Sequence, residues 1–401
     1  MNANFKQKAI LLLLIITLIT LPWLGGLIKW GGLPPGFSLL AEKVMDPPGF
    51  SLPIFVFLTC VAILLWSFVL FPRWFGFKPP TRQSKSKPTT KPAWPIWSKI
   101  GAVVGGLSWI VMWGQFDSLG MVKHLTFVPL WWGYILFLDG IVYRRNQGVS
   151  FISSRPYLLF LCAIQSIFGW YYFEYLNFFV MQNWYYPYLD LLPSPQTYIW
   201  SAITFSTVWP SVFIWYQLLQ TIPAIGLRYA QGPKVTLSRQ ALWAILLNGL
   251  VISVITSIWY DLLFWMIWLG PLLVSATILA LSGIWTPLHP IAQGDWRPVM
   301  LIAIATTCNS LTWEMWNFWS APNNPNFWHY DLPYVHQLLV FEMPVLGFTG
   351  YLFFGVICWL FWIVGARLFG FSPDVELKVE LKVELGTELP MTNAKPESDH
   401  E

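Results

Sequence analysis

Charge is scarce in this chain. Asp, Glu, Lys and Arg supply 10% of its 401 residues, against about 25% in an ordinary soluble domain, which excludes a water-soluble globular fold. Cysteine is scarce too. Cys60, Cys162, Cys308 and Cys358 lie in apolar stretches without C-x-x-C spacing, so no redox framework or thiolate metal site is expected and the four read as packing residues. The phosphate-cradling G-x-x-x-x-G-K, the nucleophile G-x-S-x-G and the Asp-rich pairs that hold magnesium on prenyl diphosphates are missing. A net charge of +4 speaks to membrane orientation and not to nucleic acid, for which the sequence has no signature. No cofactor is required. The apolar run 10–28 meets no small-residue cleavage site before Lys29 and Trp30 and reads as a retained helix, not a signal peptide.

What is abundant is apolar length. The sequence is 56% hydrophobic, and runs of the roughly 20 residues needed to cross a bilayer core recur throughout. Ten spans are expected: 10–28, 52–72, 98–116, 125–142, 156–178, 197–219, 241–259, 262–284, 298–319 and 337–366. The fold class is all-α, a polytopic transmembrane helix bundle. Lys6, Lys8, the 73–99 loop, Arg144, Arg145, Arg155, Arg228, Lys234, Arg239, Arg297 and Arg367 fall in alternate connections, which places that side and both termini in the cytoplasm of a cell-membrane protein. By composition, 1–76 is a two-helix leader, 77–97 (FKPPTRQSKSKPTTKPAWPIW) a basic linker, 98–371 an eight-helix core, and 372–401, with VELKVELKVEL, a polar flexible tail.

The core carries a self-similarity. Arg155-Pro156-Tyr157-Leu158-Leu159 is echoed by Arg297-Pro298-Val299-Met300-Leu301, each opening an outward-running helix. One helix ends in Phe173-Glu174-Tyr175-Leu176-Asn177-Phe178 with Asn183-Trp184-Tyr185-Tyr186 beyond; the other ends in Trp313-Glu314-Met315-Trp316-Asn317-Phe318 with Asn326-Phe327-Trp328-His329-Tyr330 beyond. The expectation is an internal parallel repeat, near 125–219 and 262–366, about an axis along the membrane normal. Glu and Asn three residues apart share a helical face, so each amide is placed to fix its acid. At about 1.5 Å of rise per residue, Glu174 and Glu314 sit roughly 24–27 Å from the inner ends, in the outer leaflet. Glu342 joins them, roughly 9 Å below the outer surface in the last span, where Pro344, Gly347, Gly350 and Gly355 predict a kink.

Intramembrane acids usually face a cavity or a partner. Glu314, Glu174 and Glu342 are therefore the candidate catalytic groups, Glu314 first because tryptophans flank it. Asn177, Asn317, Trp170, Trp313, Trp316, Trp184, Trp328 and His329 are the candidate binding groups. The plain alternative is that the acids tie Trp and Tyr donors together to lock helices. The outer loops add His124, His336, Asp190 and Asp331, but His329 and His336 lack the H-x-x-x-H spacing of a metal pair, and no metal is expected. Asp139 is expected to pair with Arg144 and Arg145, and His289 to be a loop residue.

The segments WWGYILFLDGIVYRR, FEYLN with NWYY, WEMWNFW and FEMPVLGFTGY resemble an uncharacterised bacterial family of multi-pass membrane proteins, a resemblance over roughly 125–366 that implies a helical membrane fold and transfers no activity. The chain is more faintly similar to membrane-embedded carotenoid cyclases, which also duplicate short helix sets bearing Pro and Glu; their paired-glutamate motif is missing here. Three functions follow from the residues: an enzyme using general acid chemistry on a membrane lipid or isoprenoid, a hydrophobic small-molecule substrate reached from the bilayer; a transporter or lipid-handling protein using the same acids; and a structural or assembly subunit, whose protein partners the sequence does not name.

Overall fold

The computed structural model describes residues 3–38, 40, 43–79 and 91–377; the middle of the expected linker, and the tail beyond 377, lie outside them. The long helices are α1 (Ala3–Trp30), α2 (Leu52–Leu70), α3 (Ile96–Gly114), α4 (Phe127–Arg145), α5 (Pro156–Phe179), α6 (Ser194–Phe205), α7 (Val208–Gln220), α8 (Arg239–Ile258), α9 (Leu269–Leu281), α10 (Arg297–Phe318) and α11 (Tyr351–Phe369). Among the described residues, seven helices are long and apolar enough to cross a membrane, or eight if a pair bent by 58° at 117–145 is one span. The chain is a multi-pass membrane protein.

Local chemistry sets the ends. Pro156 and Pro298 stand in the first turns of α5 and α10, where the missing N–H is no loss. The Ser238 side chain caps α8 by accepting from the Ala241 N–H at 3.1 Å. Gly370, at φ 82°, ends α11.

Three expected spans differ from the observed helices. The run 197–219 is broken into α6 and α7 at Ser206 and Thr207: Pro210 cannot donate to the Ser206 carbonyl, and the Thr207 hydroxyl donates to the Thr204 carbonyl at 2.7 Å instead. The run 125–142 is the second arm of the bent pair. The run 337–366 becomes helical at α11 only from Tyr351, after a hairpin of β3 (Leu339–Val340) and β4 (Met343–Pro344) and a 3-10 turn at Val345–Gly350. Pro344 therefore precedes a helix and kinks none. Gly355 serves close packing of α11 on α10, since a Cβ there would run into Thr306 and the Ile302 carbonyl.

α11 lies at the centre, 72% of its span buried, whereas α2 is only 17% buried. α10 also runs through the interior, which explains how a helix with Thr306, Asn309, Ser310, Glu314 and Asn317 on it persists in a membrane protein. The two leading helices belong to the bundle. The Tyr172 hydroxyl reaches the Leu18 carbonyl at 3.4 Å, Trp66 donates to Thr349 at 3.3 Å, and the Tyr229 hydroxyl donates to the Val69 carbonyl at 2.6 Å.

One end of the bundle, the basic end, carries Arg145, Arg155, Arg228 and Arg297. At the opposite, capped end, β1 (Trp184–Tyr185) pairs antiparallel with β2 (His329–Tyr330), Trp184 opposite Tyr330 and Tyr185 opposite His329.

Candidate functional site

Glu174 on α5 and Glu314 on α10 are both wholly buried. In each case one carboxyl oxygen collects every hydrogen bond. Glu174 Oε1 accepts from Trp170 Nε1 at 2.8 Å, Trp184 Nε1 at 3.0 Å and the Tyr186 hydroxyl at 2.6 Å. Glu314 Oε1 accepts from the Tyr330 hydroxyl at 2.9 Å and the Tyr351 hydroxyl at 2.7 Å. The second oxygen, Oε2, has no hydrogen-bond partner in either residue.

The asparagines do something other than fix the acids. Asn177 Nδ2 donates to the Trp184 carbonyl at 2.7 Å while its Oδ1 accepts from the Trp184 N–H at 3.4 Å. Asn317 treats Trp328 the same way, at 2.7 and 2.9 Å. An amide has one donor and one acceptor edge and so matches a single extended residue. Each helix end thereby clamps the strand that returns after it, and the two clamped strands pair with each other. The expected amide–carboxyl contact is replaced by an amide–backbone contact.

Beside this ribbon lies a cavity of about 230 Å³, a little under the roughly 300–1,000 Å³ of common small-molecule sites. Its walls are overwhelmingly aromatic and aliphatic: Trp131 on α4, Trp170 on α5, Trp184, Trp265 and Trp268, Trp313 on α10, Trp328, Phe354 on α11, and Leu58, Val61, Ala62 and Leu65 on α2. Tyr186, Tyr330 and Tyr351 also line it, as do Asn183, Asn326 and Thr207; the glutamates do not. The acids stand behind the wall, bonded to the hydroxyls of tyrosines that line it.

The other sequence candidates divide. Trp170, Trp184, Trp313 and Trp328 line the cavity. Trp316 instead packs against Trp131 and Tyr134, with ring centroids 4.9 and 5.0 Å apart. Glu342 is neither in a span nor against the other two acids' hydrogen-bond partners: it sits in the turn of the β3–β4 hairpin, 2.6 Å from His329 Nδ1. That carboxylate raises the His329 pKa, whereas burial lowers that of His336. Lys43 lies 2.7 Å from Asp46 and 2.9 Å from Asp331, which hold it firmly protonated, its pKa raised by Asp46 first. His124 bonds the Asn323 carbonyl at 2.7 Å. Among the described residues no group of three His, Cys, Asp or Glu side chains is placed to hold a metal ion.

Asp139 does not pair with Arg144 and Arg145. It is fully buried and accepts from Ser150 Oγ at 2.7 Å, Trp97 Nε1 at 3.0 Å and the Ile152 N–H at 3.1 Å. Arg144 lies over the Trp94 ring and Arg145 bonds Thr221. Guanidinium groups at a helix end find carbonyls and ring faces without following an aspartate into the interior.

Tyr186, Tyr330 and Tyr351 were not singled out by sequence. The first two stand at matching places in the two ribbon segments, a signal that spacing alone could have given. Tyr351 stands 37 residues beyond Glu314 and only the packing of α11 on α10 brings it there.

No protein-family model, curated protein or solved structure matches the chain.

Proposed function

We propose that this protein binds a lipid-soluble small molecule in the aromatic cavity and donates a proton to it, as an enzyme acting on a membrane lipid or isoprenoid. The observation that carries this reading is the Tyr330–Tyr351–Glu314 group: two tyrosines that line the cavity, their hydroxyls 3.4 Å apart, share one oxygen of a carboxyl group that does not line it. A hydroxyl can give its proton to a double bond or oxygen of the ligand and recover one from the carboxyl group. Positive charge left on the ligand would face the Trp313, Trp328 and Trp268 rings, whose negative faces stabilise cations. Glu314 thus acts through the tyrosines, and Glu174, with Trp170, Trp184 and Tyr186, holds the opposite wall.

The transport reading is less well supported. A path from the cavity to the basic end would need free polar groups along α5, α7 and α10. There the hydroxyls of Ser211 and Thr306 return to backbone carbonyls at 2.9 and 2.7 Å, and Asn309 donates its Nδ2 to Ser211, which leaves Asn309 Oδ1 and Gln217 Oε1 as the unpaired oxygens in that stretch. We further read the two clamped segments as an internal parallel duplication, supported by the matching Glu, Asn, Trp and Tyr contacts, and the basic end as cytoplasmic, supported by its arginines.

The test has two parts. The lipids and pigments of cells with and without the gene are compared, and lipid co-purifying with the protein is identified. A lipid that changes in the cell and is retained by wild type, but not by an Ala62→Trp variant that fills the cavity, supports the reading. A folded protein that retains no lipid and changes none overturns it.

A further inference from the structure

At the basic end the chain continues past α11 into a short extended segment held by main-chain bonds and by its side chains. Trp362 Nε1 donates to the Pro373 carbonyl at 3.0 Å, Arg155 donates to the carbonyls of Asp374 and Glu376 at 2.6 and 2.8 Å, and Gln217 Nε2 donates to that of Val375 at 2.9 Å. The Leu377 N–H donates to Gln220 Oε1 at 3.0 Å. Val375 and Leu377 point into the bundle, both buried, while the Tyr216 hydroxyl takes the Glu376 carboxylate at 3.0 Å. Burial pushes the Glu376 pKa up. The expected free tail is, over these residues, a seated peptide.

The groove therefore reads three side chains, Val-Glu-Leu, with main-chain bonds supplying the rest, as in strand-type peptide recognition. The sequence offers that tripeptide three times at four-residue intervals: 375–377, 379–381 and 383–385. We propose that the groove formed by Arg155, Gln217, Gln220 and Tyr216 is a binding site for Val-Glu-Leu peptide, that the units at 379–381 and 383–385 are alternative occupants in the same chain, and that Asp374 selects the first. Slipping the chain by four or eight residues leaves Val, Glu and Leu in place. It changes what precedes them. In the observed register Asp374 Oδ2 lies 3.1 Å from Arg155 Nη1, and its Oδ1 accepts from the Glu376 N–H at 3.0 Å; in the slipped registers Lys378 or Lys382 would face that guanidinium. Like charge opposes the slip and opposite charge opposes leaving.

Disulfide trapping tests this in the full-length protein with its four native cysteines replaced. Gln220→Cys is combined in turn with Leu377→Cys, Leu381→Cys or Leu385→Cys, with Thr392→Cys, beyond the three tripeptides, as the control. In the native background the 377 pair should dominate. Asp374→Lys should raise the ratio of 381 to 377 cross-linking by about three- to tenfold, the range for losing one exposed ion pair and adding a repulsion. Asp374→Asn, which keeps the acceptor and removes the charge, should give a smaller rise. Unchanged ratios in both variants, 381 and 385 signals no higher than the 392 control, or cross-links that join two chains would each overturn the proposal.

Discussion

Glu174 and Glu314 occupy matching places, each near the C-terminal end of a helix that opens with proline and each followed three residues on by an asparagine that clamps a tryptophan. Their donors differ. The residue four before Glu174 is Trp170, which donates to it; four before Glu314 stands Ser310, whose hydroxyl returns to Thr307. The missing donor is replaced from another helix, by Tyr351. Trp184 donates to Glu174 at 3.0 Å, while its counterpart Trp328 comes near Glu314 without reaching hydrogen-bond geometry. The consequence is chemical. An indole N–H holds its proton and can only orient; a phenol hydroxyl can both give and take one. The Glu174 half is built of two indoles and one hydroxyl and suits anchoring, whereas the Glu314 half is built of hydroxyls and suits proton transfer.

The sharpest way to break that contrast is Glu314→Gln. The amide keeps the shape and an acceptor for Tyr330 or Tyr351 but supplies no carboxyl proton, so the cellular lipid change should fall by roughly 10²- to 10⁴-fold, the usual worth of a positioned general acid. Glu174→Gln, at matched membrane abundance, should retain most of it. Equal losses in the two variants would end the division of labour. Wild-type output from Glu314→Gln would return Glu314 to a purely structural role.

Truncation reverses the order. Glu174→Ala removes the acceptor of three donors, of which Trp170 keeps the Tyr186 hydroxyl, and Glu314→Ala that of two, which keep each other, so two donors are stranded in the first case and one in the second, at about 1–3 kcal/mol for each buried group left unpaired. Thermal unfolding in detergent should therefore show Glu174→Ala as the less stable, by about the worth of one donor. The asparagines should show no such difference. Asn177→Ala and Asn317→Ala each remove one donated and one accepted backbone bond, so each should cost about 1–3 kcal/mol, with the two within about 0.5 kcal/mol of each other. A large gap between them would mean that the two clamps are alike in geometry only.

The membrane helices, the paired acids and the motif around them were legible in sequence because they rest on local facts, namely apolar length, proline at a helix start and the spacing of Glu and Asn, although ten spans were expected where seven or eight stand among the described residues. What was illegible depends on contacts far along the chain. Asn177 and Asn317 share a face with their acids, yet a backbone that returns 7 and 11 residues later offers both amide edges a partner, and the carboxyl offers only one. Glu342 reads as intramembrane because 337–366 is apolar, but Leu338 and Phe341 at φ 54° and 59° turn the chain into a hairpin before the helix begins. Trp316 has the spacing of a site residue and the packing of a core residue.

The smallest expected effect separates the halves by pH. Opposite His329 in the ribbon stands Tyr185, which carries no charge near neutrality, so only the Glu314 half titrates there. Glu342 raises the pKa of His329, with Asp331 adding to it and burial and Lys43 working against it. A group whose folded pKa is raised contributes stability that is fully present below its unfolded value, about 6.5 for histidine, and that is lost as pH rises through the folded value. His336, lowered by burial, works in the opposite sense, costing stability as pH falls, and is present in both proteins compared below. The hairpin at 339–344 should thus be held more tightly at pH 6 than at pH 9. Because the His329–Glu342 pair is only partly exposed, the effect should stay within about fivefold, the range of such an ion pair. The measurement is hydrogen exchange of the hairpin amides in wild type divided by that in His329→Gln at each pH, which removes the intrinsic rate. The ratio should show wild-type protection at pH 6 that vanishes by pH 9. A ratio independent of pH would mean that His329 holds the cap by packing on Tyr185 and not by charge, and the two halves would then differ only at their buried acids.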